Sequence, residues 1–487
     1  MGLFLQASTL LVALQVAIFI GIALRVIMRR PARGVALSWL LLVAALPLFG
    51  ALVYLLIGER RIGRKRSLGI RDLRLDLKKI AAATISPEFL SADWQGLPPT
   101  AEALDRLGRS LVGGPTVHGN RLKLLSDTQA ILASIAGDVD GASTSVLMEF
   151  YIWNEGGAAD KILEAVIRAA HRGVPCFLLI DGLGARPWWK GRQPQRLRDA
   201  GVQLRAALPT GLMRTLIGRT DLRLHRKIVV IDGKVAWTGS MNLVDPRYFK
   251  QGSGVGEWVD AMVRVEGTVV NPLSGILAAD WSLETGEPLH RLINDAGLGR
   301  AKPIGTANVQ VVSSGPGQSA DGLLQMILGL INGARDELVL TTPYLVPDDA
   351  VIVALRGAAA RGVRVTLIVP EKVDSFLTRY ASRSYYDDLL DAGVMIQLYR
   401  GGLLHTKSIS VDGTMSMFGT VNLDMRSLWL NYEVALFIYQ AEFALALRAL
   451  QQSYLAQSTC IDPAQWEARS FRERFIENVL RLFSPLL

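Results

Sequence analysis

The sequence predicts an α/β protein made of two repeated halves, each a mixed sheet flanked by helices, set behind two N-terminal membrane-spanning helices. Three observations carry this. Residues 224–243 (LHRKIVVIDGKVAWTGSMNL) recur as residues 404–423 (LHTKSISVDGTMSMFGTVNL). The segments before each copy alternate strand-like and helix-like patterns in the same order. Two long apolar stretches open the chain.

Residues 3–24 are apolar apart from Gln6, Ser8, Thr9 and Gln15, and residues 35–57 carry no charge. Each is long enough to cross a bilayer, which takes about 20 residues, and Pro47 is tolerated in such a helix. The first lacks a charged leading region, and Arg25, Arg29 and Arg30 follow where a small-residue cleavage site belongs, so it reads as an anchor and not as a cleaved signal. The basic residues between 60 and 79 outnumber those of the loop at 25–33. The heavier side is expected to be cytoplasmic, placing the bulk of the chain there. That run also reads as contact with anionic lipid headgroups. The net charge of +9 is modest for 487 residues, and no nucleic-acid partner is expected. The only cysteines are Cys176 and Cys460, which excludes a disulfide framework and points to a reducing compartment.

The expected organisation is residues 1–58 as two transmembrane helices, 59–115 as a basic linker, 116–297 as the first half and 298–487 as the second. In the first half, strands are expected at 121–125, 145–153 and 175–180, with helices at 128–136 and 158–172 ending at Gly173. In the second, strands at 309–312, 337–345 and 364–369 flank a helix at 350–361. Asp199-Ala-Gly-Val matches Asp391-Ala-Gly-Val at an offset of 192 residues, whereas the two histidines lie 180 apart (225 to 405). The first half therefore carries 12 extra residues within 204–222. Their Leu, Met and Ile mixed with Arg suit either a surface loop or a lip on the membrane, with Trp188, Trp189 and Lys190 as candidates for the same rim. The C-terminal stretch, 470–487, suits an interfacial amphipathic helix or a helix packed on the domain.

Within the repeat, an apolar run followed by Asp-Gly and a second run is a hairpin signal. His225 and Lys227, like His405 and Lys407, are two residues apart and project together from an extended chain. An imidazole beside an ammonium makes a poor core and a good phosphate site. Asn242 and Asn422, past a Gly-Ser or Gly-Thr turn, add amide donors. Asp232 and Asp412 are candidates both for the turn and for the chemistry. Phosphoryl transfer through a covalent intermediate needs a nucleophile, an acid for the leaving alkoxide and cations on the phosphate oxygens. Two halves meeting about a pseudo-two-fold axis supply them all. No metal-ligand spacing occurs, so neither metal nor cofactor is expected.

The duplicated HxKxxxxD pattern resembles that of the phospholipase D superfamily. MRRPARG (28–34), EFYIW (149–153), SSGP (313–316), TPYLVPDD (342–349) and GTVNLDMRS (419–427) resemble the bacterial cardiolipin synthases within it. The resemblance spans nearly the whole chain. It implies two phospholipase D-like sandwich repeats and transfer of a phosphatidyl group from one phosphatidylglycerol to another, releasing glycerol, at the bacterial inner membrane. It further implies attack by His225, acid–base work by His405, phosphate contacts from Lys227, Lys407, Asn242 and Asn422, and Asp260 and Glu433 as carboxylates orienting the imidazoles. A phospholipase D or phosphodiesterase using water or another alcohol as acceptor carries the same motifs.

Overall fold

The computed structural model describes residues 2–29, 33–58, 69, 73, 92, 94–209, 222–315, 318–319, 321–482 and 484. They form two compact units, one within residues 1–65 and one within 66–487.

In the N-terminal unit, a helix runs over Gly2–Arg29, and its segment Leu10–Arg29 has a mean hydropathy of 2.5 over 20 residues. Among the described residues it is the one unbroken helix long and apolar enough to cross a membrane. The second expected span is divided into Arg33–Ala45, Pro47–Val53 and a wider-wound turn, Tyr54–Gly58. Proline lacks the N–H of a regular helical bond and crowds the preceding turn, so the break falls at Leu46–Pro47. Val26, Val43 and Tyr54 pack together, and Tyr54 meets Trp39 edge-on at 5.3 Å.

The larger unit is built on one fifteen-stranded sheet. In the first half β1 (Thr116–Leu125), β2 (Val146–Phe150), β3 (Cys176–Asp181), β4 (Gln203–Ala207), β5 (Ile228–Ile231), β6 (Val235–Gly239), the two-residue β7 (Trp258–Val259) and β8 (Met262–Gly267) follow in turn. The second half repeats them as β9 (Ala307–Ser314), β10 (Glu337–Thr341), the short β11 (Leu345–Val346), β12 (Arg364–Pro370), β13 (Met395–Tyr399), the short β14 (Leu403–Leu404), β15 (Ser408–Val411), β16 (Met415–Gly419), the short β17 (Leu423–Asp424), β18 (Glu433–Tyr439) and β19 (Ser458–Cys460). Across the sheet the order is β19-β13-β12-β10-β15-β16-β18-β9-β1-β8-β6-β5-β2-β3-β4. Apart from β19 it reads as a palindrome about the β9–β1 junction. There the halves join antiparallel, Thr116 opposite Gln310 and Val117 opposite Val309.

Helices cover both faces, which is why β2, β3 and β10 are apolar without alternation. Thr128–Asp140 and Ala159–His171 pack on one face of the first half, and Gly322–Gly333 and Asp349–Ala360 on the corresponding face of the second. On the opposite face the halves share a core: Trp281 and Leu277 from helix Val270–Thr285 join Phe443 and Leu447 from helix Ala441–Leu455. A mixed sheet flanked by helices, duplicated, is the fold class read from the sequence.

Two local expectations differ. The stretch read as a linker contains helix Pro99–Leu111, whose Ala101 and Leu104 enter the second half's core and whose Asp105 accepts the Thr116 N–H at 2.8 Å. Its prolines start the helix, Pro99 occupying its first position, where a missing N–H costs nothing. Trp188 does not lie on a rim. It is buried, stacked on Trp153 at 4.7 Å, with its Nε1 donating to Gln193. Residues 210–221, most of the stretch 204–222 that carries the 12 extra residues, and most of the basic run at 59–79 lie outside the described residues.

Candidate active site

Each repeated motif is an extended segment leading into a hairpin. β5–β6 and β15–β16 are joined by turns in which Asp232 and Gly233 (φ 54° and 61°) and Asp412 and Gly413 (φ 50° and 61°) are left-handed. The four-residue turns closed by Lys234 N–H on the Ile231 carbonyl and Thr414 N–H on that of Val411 need positive φ at both central positions, and Asp-Gly tolerates it. The Asp232 carboxylate accepts from the backbone N–H groups of Ser143, Thr144 and Ser145, and that of Asp412 from those of Arg335, Asp336 and Glu337. Burial pushes the Asp232 carboxyl up, but the Thr144 and Ser145 amides outweigh this and hold it below the usual range. The seven-residue step from His225 to Asp232 spans roughly 23 Å of strand. Asp232 and Asp412 therefore tie the turn to the start of the neighbouring strand, the turn role of the two that the sequence left open.

The histidines stand at the other end of these strands, where the halves exchange contacts. His225 N–H donates to the Tyr432 carbonyl at 3.0 Å, and Tyr432 N–H to the Arg223 carbonyl at 2.9 Å. Symmetrically, β14 runs parallel to β7, and His405 N–H donates to the Val259 carbonyl at 2.8 Å. The side chains follow. His225 Nδ1 lies 2.9 Å from both oxygens of Glu433, and His405 Nδ1 lies 2.7 Å from Asp260 Oδ1. Each carboxylate also takes a hydroxyl from its own half, Thr420 to Glu433 and Ser240 to Asp260, both at 2.5 Å.

A carboxylate only accepts, so each Nδ1 carries the proton and each Nε2 keeps its lone pair. Burial pushes both imidazoles down to about 4, against the pull of Glu433 and Asp260. Burial likewise opposes ionisation of the two carboxyls, but His225 and His405 beside them hold both below the usual range. Lys227 Nζ donates to the His225 carbonyl at 2.6 Å, and Lys407 Nζ to that of His405 at 2.5 Å. Burial brings Lys227 down to about 8 and Lys407 well below its ordinary value. Lys407 depresses His225 and Lys227 depresses His405, so all four groups share one electrostatic site. Its donor set is cationic and suits phosphate oxygens.

The asparagines are less alike. Asn242 Oδ1 accepts the Ile152 N–H at 3.1 Å, which leaves its amide hydrogens to donate. Asn422 is buried, its Oδ1 without a hydrogen-bond partner and its amide beside Asp424.

The structure adds residues that the sequence reading passed over. Tyr151 meets His225 edge-on at 5.1 Å, and the Trp258 ring lies 4.3 Å from His405. Ser240 and Thr420 occupy matched places in the repeat, so their recurrence was the available signal. Arg226 gave none. It is fully buried, paired with Asp280, and donates to the carbonyls of Glu433 (3.0 Å) and Ser314 (2.9 Å). Glu149 is buried beside Asp280, and burial and that charge push its carboxyl well above the usual range. The second half has Thr406 in place of Arg226, bonded to Tyr454 at 3.0 Å.

Comparison with known proteins agrees with this architecture. A family model described as cardiolipin synthase, PLD-like domain matches residues 136–252 and 327–454, and one described as phospholipase D-nuclease N-terminal matches 17–59. The chain is 42% identical over 467 residues to cardiolipin synthase A of Erwinia tasmaniensis, covering 96% of each chain. It is 41% identical over 469 residues to that of Serratia proteamaculans, again covering 96% of each. The crystal structure of phosphatidylserine synthase from Haemophilus influenzae superposes with a TM-score of 0.60 at 15% identity, over 80% of this chain and all of that one, a likeness of fold. With both repeats matched and relatives aligned almost end to end, the chain belongs to the cardiolipin synthase family of phospholipase D-like proteins.

Proposed function

We propose that this chain is a phosphatidyltransferase that makes cardiolipin from two molecules of phosphatidylglycerol. The observation that carries the reading is the pair of imidazoles, each fixed through Nδ1 by a carboxylate of the other half and each accompanied by a lysine. His225 Nε2 attacks the phosphorus of the first lipid. The bond from phosphorus to the headgroup glycerol oxygen breaks, and the imidazolium form of His405 protonates that oxygen. His405 Nε2 then takes the proton from a headgroup hydroxyl of the second lipid. That oxygen attacks phosphorus, the phosphorus–nitrogen bond breaks, and His225 is restored. One phosphodiester replaces another, so no nucleotide is consumed and the transfer is reversible. Lys227, Lys407, Asn242 and Asn422 hold the phosphate oxygens.

The assignment of the nucleophile follows the asymmetry beneath the two imidazoles. Glu433 presents two oxygens to His225 and is braced through its own carbonyl by Arg226, whereas Asp260 presents one to His405. That difference, with the family resemblance, favours His225 for attack and His405 for proton transfer.

Residues 116–297 and 298–487 act as the two halves of one enzyme. Residues 1–58 anchor it in the bacterial inner membrane with two spans, the halves on the cytoplasmic side. The test is lipid analysis of cells lacking their own cardiolipin synthesis that express the chain or its His225→Ala form. Cardiolipin appears only with the intact chain, and the purified protein releases glycerol from phosphatidylglycerol without nucleotide. Accumulation of phosphatidic acid in place of cardiolipin overturns the reading in favour of a hydrolase.

A further inference from the structure

Outside the N-terminal unit, the exposed large aromatic side chains among the described residues are Tyr248, Phe376, Phe471 and Phe475, between 56% and 77% exposed. They are not scattered. Tyr248 stands two residues before Lys250, whose Nζ pairs with Asp374 at 2.9 Å, and Phe376 stands two residues after Asp374. Phe376 and Leu377 open helix Phe376–Arg383, which packs against helix Phe471–Arg481 through Arg383 and the buried Glu477, 2.5 Å apart. Phe471 and Phe475 are one helical turn apart, 6.1 Å between rings, on the side of their helix turned away from Glu477. The run contains parts of both halves and begins at the active site. Asp374 accepts from Tyr344 at 2.8 Å, and its partner Lys250 lies over Trp258, the ring against His405.

We infer that this face, from Tyr248 through Phe376 and Leu377 to Phe471 and Phe475, is the surface by which the catalytic unit seats on an anionic phospholipid bilayer, with the site mouth at its edge. The inference rests on the phospholipid reading of the site and adds where lipid enters. Charge favours a bilayer over a second copy of the chain. Arg379, Arg472 and Arg474 are exposed on these two helices and form no ion pair with an acidic group among the described residues. A two-fold interface sets a patch against itself and brings those arginines together, whereas lipid phosphates meet them while the rings enter the headgroup layer. Single exposed apolar residues are ordinary; aromatic residues concentrated at one rim, among unpaired cations, are not.

The test uses the full-length chain in vesicles of phosphatidylglycerol and phosphatidylcholine, in a Cys460→Ser background that leaves the buried Cys176. A fluorophore is placed at Phe475→Cys or, as control, at the exposed Val353→Cys on helix Asp349–Ala360. Lipids brominated on their acyl chains quench the probe at 475 at least threefold more than the probe at 353. Equal quenching overturns the inference, as does protection at 475 that disappears on dilution of protein at constant lipid, which signals a second copy. In the same vesicles, Phe376→Ser with Phe475→Ser lowers turnover of bilayer phosphatidylglycerol tenfold or more. Turnover of a monomeric short-chain phosphatidylglycerol stays within twofold. Equal loss on both substrates, or no loss on either, overturns it. If the intact chain turns over neither lipid, the functional reading fails, while the quenching comparison still decides the docking face.

Discussion

His225 and Glu433 are 208 residues apart in the chain, and His225 Nδ1 lies 2.9 Å from both carboxylate oxygens of Glu433. Asp260 and His405 repeat the relationship in the opposite direction at 2.7 Å. Each half thus supplies an imidazole and orients the imidazole of the other, so neither half holds an oriented histidine by itself.

Replacing Glu433 with Gln removes its charge and sets an amide N–H donor where only acceptors stood, so the Nδ1–H tautomer of His225 is no longer enforced. By analogy with other carboxylate-oriented histidines, kcat falls about 10²- to 10⁴-fold while the fold persists. Cross-half pairing adds a pattern: Glu433→Gln changes little in a His225→Ala background, and Asp260→Asn little in a His405→Ala background. Residual turnover of the four double variants measures this. Coupling within each half, His225 with Asp260, is the contrary result.

Asp232→Ala and Asp412→Ala act on stability. Each strands backbone amides and removes the residue that tolerates a left-handed turn, at a cost of about 1–3 kcal/mol. Denaturant midpoints fall, and turnover per folded molecule stays within a few-fold. A loss like that of His225→Ala, in protein as stable as the parent, contradicts the structural role.

Arg226→Met leaves Asp280 as a buried, unpaired charge. The expected destabilisation is about 3–5 kcal/mol, and Arg226→Met with Asp280→Leu recovers most of it, because removing both charges also removes the desolvation penalty. Chemical denaturation of the single and double variants decides this. Equal stability of the two means that the pair is not coupled.

Burial holds both imidazoles near 4, so at pH 7 they are neutral in the free protein. An anionic phosphodiester favours charged imidazolium and ammonium beside it. Binding a non-hydrolysable phosphodiester at pH 7 is therefore expected to take up about one proton, read by calorimetry in buffers of differing ionisation enthalpy. No uptake means that the acid is already charged. The same shifts set a stability trend. The unfolded histidines bind protons near 6.5 and the folded ones resist until about 4, so their contribution is complete above 6.5 and is lost as pH falls toward 4.

Much was legible in the chain because the repeat is local. The periodicities of β2, β3, β10 and β12 and of the helices between them are set within each segment, and their places agree to within a few residues. The duplicated His, Lys and Asn pointed to one candidate site drawn from two halves. Asp232 and Asp412 were half legible: the Asp-Gly pair declared the turn, but the amides that the carboxylates hold lie about 75 to 90 residues earlier.

The sequence by itself determined two α/β halves, an apolar N-terminus and the residue types of the candidate site, since hydrophobic period, turn chemistry and recurrence are properties of neighbours along the chain. Tertiary structure decided which carboxylate serves which histidine, that Trp188 is buried, that Arg226 braces Glu433, and that helix Pro99–Leu111 belongs to the core. These depend on joining the halves at β1 and β9, which brings together groups far apart in the chain and removes them from water. Burial then lowers both imidazoles, and no local pattern encodes burial of a polar side chain.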